Sequence, residues 1–144
     1  MSRRFKLMLA SAVLLASVLA LSAFGWRLFP LARPLSVTVR NDSDSKLSGL
    51  ILVSGSGLRT SLPDASPGKS VTVQPGVGQG EDDLSLVDSG GRHYTLLGYL
   101  EGNPRGEVTV KVTGASGDGG LVGRVVDESR YGPVDEFVLE PDSL

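Results

Sequence analysis

The sequence predicts an all-β protein: a β-sandwich of about seven to nine short strands, preceded by one N-terminal transmembrane helix. Three observations predict it. Leu7–Trp26 is a run of twenty residues without a charge. Beyond residue 34 the pattern changes to strict alternation, as in Glu107-Val108-Thr109-Val110-Lys111-Val112-Thr113. Turn-forming residues separate the alternating runs, and eighteen of the nineteen glycines lie in that region.

Sixteen of the twenty residues of Leu7–Trp26 are apolar; the others are Ser11, Ser17, Ser22 and Gly25. A helix of this length is ~30 Å long, the thickness of a bilayer's hydrocarbon core. Serine hydroxyls bond back to helical carbonyls, and Trp26 suits the membrane–water interface. Residues 1–6 form a basic flank through Arg3, Arg4 and Lys6. The same flank fits a cleaved signal peptide, with small residues at Val18-Leu19-Ala20 and Ala20-Leu21-Ser22. A signal's apolar region runs about 7–15 residues, and Arg27 follows the run directly. Residues 7–26 therefore read first as a retained anchor and second as a signal peptide.

Three basic residues precede the span, and two, Arg27 and Arg33, follow it. This bias predicts a single-pass membrane protein with a cytoplasmic N-terminus. The C-terminal domain would then be extracytoplasmic, in a periplasm or outside the cell. Residues 27–34 form a linker whose Pro30 and Pro34 disfavour helix.

Residues 35–144 supply the strands in order. Ser36–Arg40, Lys69–Gln74, Asp83–Asp88 and Glu107–Thr113 alternate apolar with polar residues. Such a strand has one face on a core and the other in water. Leu50-Ile51-Leu52-Val53 is continuously apolar and reads as a central strand buried on both faces. Leu58–Leu62, Arg92–Leu100, Leu121–Asp127 and Glu136–Leu139 complete the set. Turn signals come at ~10-residue spacing, as in an Ig-like sandwich. Ser89-Gly90-Gly91 is the clearest hairpin turn, with Arg92 and Lys111 expected on solvent faces. Tyr99 and Tyr131 read as caps on the ends of the core or, alternatively, as interface anchors.

The formal net charge of −2 hides a split. Residues 1–34 hold five basic residues and no acid, +5 in all. The domain holds the other nine basic residues and all sixteen acids, which leaves −7. An acidic domain predicts no nucleic-acid partner, because that affinity comes mostly from Lys and Arg on phosphates. The absence of cysteine excludes disulfides, thiolate metal sites and cysteine nucleophiles.

No motif carries a reaction. His93 is the lone histidine, and nothing resembles a Gly-x-Ser-x-Gly elbow for a triad that would need it. Ser66-Pro67-Gly68-Lys69 matches Ser-x-x-Lys by letter, but Pro-Gly makes it a turn. Asp42-Ser43-Asp44 begins like a calcium loop and fails at Lys46, Leu47 and Val53, where an oxygen ligand, Gly and Glu belong. Glu81-Asp82-Asp83 is expected as a solvated acidic loop, or as a loose calcium site joined by Asp88 or Asp118. Gly78-Gln79-Gly80 precedes those acids and is no phosphate loop. Asn41-Asp42-Ser43 is a glycosylation sequon by pattern. The expectation is no catalytic residue, no metal ligand and no cofactor.

Val37–Ser43, Leu50–Gly55, Leu62-Pro63, Pro67–Ser70, Leu84-Ser85-Leu86, Gly98-Tyr99-Leu100 and Gly106–Val110 form a further pattern. It resembles that of small uncharacterised bacterial single-pass or exported proteins with an Ig-like β-domain. The resemblance covers roughly residues 1–114 and implies an envelope setting without assigning a site. The expected function is a membrane-anchored, extracytoplasmic module for binding or structural interaction. It would meet the membrane through residues 7–26 and a protein partner in the envelope. The alternatives are an extracytoplasmic carboxylate-dependent hydrolase and a calcium-stabilised extracellular module.

Overall fold

A computed structural model describes residues 33–78, 80–129 and 135–142. The basic flank at 1–6, the apolar run at 7–26, most of the linker and Tyr131 lie outside the described residues. Among the described residues no helix is long and apolar enough to cross a membrane.

These residues form nine strands: β1 Ser36–Asn41, β2 Ile51–Ser54, β3 Arg59–Ser61, β4 Ser70–Val73, β5 Asp82–Val87, β6 His93–Leu100, β7 Glu107–Ala115, β8 Leu121–Asp127 and β9 Asp135–Leu139. They make an all-β, two-sheet fold. One sheet has the order β4-β1-β7-β8-β9 and the other β3-β2-β5-β6. All pairs are antiparallel except β1 and β7, which run parallel from Ser36↔Glu107 to Asn41↔Val112. The chain enters beside the β6–β7 loop, where the Leu35 N–H donates to the Pro104 carbonyl at 3.0 Å.

Alternation decides the core. Val37, Val39, Val108, Val110, Val112 and Val125 of the larger sheet meet Leu52, Leu84, Leu86, Tyr94, Leu96 and Leu97 of the smaller one. Their partners on the same strands, such as Thr38, Thr109 and Lys111, lie on the outer face. Two-layer packing of this kind supplies most of the burial that opposes chain entropy.

Three details depart from the expected pattern. β2 is a central strand, but Ile51 and Val53 are only half-buried, because among the described residues no third layer covers the outer face of its sheet. β6 carries two extra residues against β5, so Leu96 and Leu97 both turn inward and the alternation is lost. β7 carries one extra residue after Val112, opposite Gly123. A Cβ on Gly123 would stand 1.9 Å from the Lys111 carbonyl oxygen, so only glycine fits.

Candidate functional site

Two adjoining hollows follow β5 and β6 on the smaller sheet. One is a cleft of about 530 Å3, lined by Asp83, Ser85, Arg92, His93, Thr95 and Asp142 among others. The other, of about 450 Å3, is lined by Gly55, Ser56, Glu81, Asp82, Asp83 and Gly98. Asp83 belongs to both, so they form one acidic strip.

Strand register builds the cleft. Ser85 stands opposite Thr95 and Val87 opposite His93. After β9 the chain crosses to the free edge of β6. There the Asp142 N–H donates to the His93 carbonyl at 2.8 Å. The Asp142 carboxylate accepts from the Thr95 N–H at 3.1 Å and its hydroxyl at 2.9 Å. The cleft thus brings His93 near Ser85 and two carboxylates, a grouping that sequence spacing did not show. No hydrogen bond joins the His93 ring to Ser85, Asp83 or Asp142 among the described residues, so the relay of a Ser-His-Asp triad is not assembled.

Asp82 and Asp88 sit at opposite ends of β5 and are tied into turns. The Asp82 carboxylate accepts from the Ser56 N–H and hydroxyl, both at 2.9 Å. It also accepts from the Gly78 N–H at 2.6 Å and the Asp83 N–H at 2.9 Å. Burial works to raise its pKa, but these bonds to the charged form outweigh it and hold the value at about 2. Asp88 accepts from the Gly90 and Arg92 N–H groups, the Arg92 guanidinium and the Tyr94 hydroxyl. There too burial opposes ionisation and the bonds prevail, so the pKa is lowered.

The fully buried Tyr94 joins the sheets. Its hydroxyl donates to Asp88 at 2.9 Å and accepts from the Leu121 N–H, at the start of β8, at 2.7 Å. Burial raises its pKa, and the Asp88 bond adds to the rise while the Leu121 bond opposes it. Tyr94 escaped the sequence reading, although its period-two phase with Leu96 places it on the inner face.

Several expected features take other forms. Asp82 is buried at the first position of β5, so Glu81-Asp82-Asp83 is no solvated loop. Asp88 stands six positions beyond Asp82 along the extended chain, ~20 Å away. The calcium set of Glu81–Asp83 with Asp88 or Asp118 is therefore not brought together. Asp118 lies in the β7–β8 turn, where the Ser116 hydroxyl and the Gly120 N–H lower its pKa against slight burial. Arg92 is not free on a solvent face; it spans from Asp88 to the Asp118 carbonyl.

Asn41 is fully buried and its amide donates to the Ser45 and Ala65 carbonyls, which closes the sequon. Ser66–Lys69 is a turn closed by the Lys69 N–H on the Ser66 carbonyl at 3.0 Å. Tyr99 is 49% exposed on β6 and caps no core.

No family model matches the chain, and no curated protein matches it either. Among solved structures it is similar to the NMR structure of a protein from Eubacterium rectale, at 11% identity with a TM-score of 0.38. That match covers 62% of this chain and 84% of the other.

Proposed function

We propose that the chain is a membrane-tethered, extracytoplasmic interaction module. Residues 7–26 anchor it, the N-terminus is cytoplasmic, and an Ig-like sandwich presents the β5–β6 strip to a protein partner in the envelope. The observation that carries this reading is the division of labour among the carboxylates. Asp82 and Asp88 are fixed as anions by the fold's own turns. Glu81 and Asp83 line the same open hollow as Asp82, but their carboxylates accept none of those turn bonds. A strip of that charge attracts a basic partner and fixes its orientation.

The carboxylate hydrolase finds less support. It needs one carboxyl held protonated near neutral pH. Every displaced carboxylate pKa among the described residues moves downward.

A phosphatase reporter fused after Leu144, active only outside the cytoplasm, tests the topology. The expected result is full activity from a fusion that stays with the membrane after an alkaline wash. An inactive fusion, or one released by the wash, would overturn the tether.

A further inference from the structure

We propose that β9 is a self-association edge, at which two copies of this chain pair β9 with β9, antiparallel and centred on Phe137. The two five-stranded sheets then become one sheet of ten strands. This interface does not rest on the membrane tether.

The sheet orders leave four outer strands: β4, β9, β3 and β6. Exposed edges invite pairing, and proteins blunt them with short strands, bulges or covering segments. β3 has three residues and β4 has four. β6 is kinked by its extra residues, and Asp142 occupies its His93 carbonyl and Thr95 N–H. β9 has five residues and no bulge, and among the described residues no segment covers it; Asp135 and Glu136 are its charges. It pairs with β8 in unbroken register from Gly123↔Leu139 to Asp127↔Asp135, and among the described residues no strand pairs with its other side. Its Val138 is 56% exposed, more than any other large apolar side chain of the described residues.

The charges select one register. A two-fold axis keeps inner face beside inner face only when it passes through a residue position, because side chains alternate. An axis at Glu136 sets two Glu136 side chains opposite each other. An axis at Val138 sets Glu136 against Glu140. Directly opposed like charges destabilise a sheet. An axis at Phe137 sets Glu136 against Val138 and Asp135 against Leu139, so no two carboxylates face each other. Val138 then lies between Arg124 of its own β8 and Glu136 of the partner subunit. The aliphatic stems of both cover the exposed valine. A five-residue contact is smaller than a standard stable interface, so the association is weak and exchanges quickly.

The cysteine-free chain makes a clean test possible. Full-length Glu136→Cys and Val138→Cys variants are purified in detergent and oxidised separately and as a mixture. Directly opposite Cβ atoms lie ~4.5–5.5 Å apart and diagonal neighbours ~7–8 Å apart, beyond disulfide reach. The mixture is expected to form a disulfide dimer with one chain of each kind at least about tenfold faster than either variant alone. No dimer from the mixture, or equal rates alone and mixed, overturns the proposal. Val138→Glu and Val138→Lys give a second readout by sedimentation of the full chain. Glu sets two carboxylates face to face and lowers the dimer fraction, whereas Lys raises it. A change independent of charge sign overturns the register.

Discussion

In the five-stranded sheet, β1, β8 and β7 as far as Val112 alternate buried with less buried residues, and valines dominate the inner face. In the four-stranded sheet, β5 and β6 lose that alternation: Ser85 and Val87 are buried on the outer side, and β6 holds two extra residues. The first sheet is held by its ladder and apolar contacts, with tight backbone approaches at Gly106 and Gly123. The second is pinned by charged hydrogen bonds, with Asp82 at one end of β5 and Asp88 at the other. Irregular strands leave backbone donors without ladder partners. In the hairpin and loops around β5, carboxylates take up those donors.

Breaking the regular sheet at Gly123, its tightest backbone approach, has the largest expected effect. Gly123→Ala drives a methyl into the Lys111 carbonyl and costs about 3 kcal/mol or more, read as a shift of the urea midpoint. Next comes Asp88→Ala, which strands the Gly90 and Arg92 N–H groups and costs about 2–3 kcal/mol in the same measurement. Tyr94→Phe keeps the ring but leaves the partly buried Leu121 N–H without its acceptor, and about 1–2 kcal/mol is expected. A Tyr94→Phe variant as stable as the parent would remove the inter-sheet tie.

Acid sharpens the contrast. The folded pKa values of Asp82 and Asp88 lie below the ~3.9 of an unfolded aspartate. The stability they contribute is complete above that value and is lost as pH falls through the folded value, about 2 for Asp82. Amide exchange between pH 4 and pH 2 should therefore accelerate first in β5 and β6 and later in β1 and β7. The smallest effect belongs to Gly98→Ala, where a Cβ meets nothing within 4 Å; the urea midpoint should move by no more than about 0.5 kcal/mol.

The sequence by itself determined the strands and turns. Leu121–Asp127 has the same bounds in sequence pattern and structure, and Ser89-Gly90-Gly91 turns β5 into β6. Alternation and turn chemistry act over a few residues, so they can be read locally. Tertiary structure alone decided which strands meet. The parallel pairing of β1 with β7 spans about seventy residues and depends on the whole core closing. The fates of the aspartates were decided in the same way. Asp82 and Asp83 are neighbours of one residue type and both line the strip, yet only the Asp82 carboxylate is locked into turns. Loops brought in from 26 residues earlier in the chain, at Ser56, make that difference.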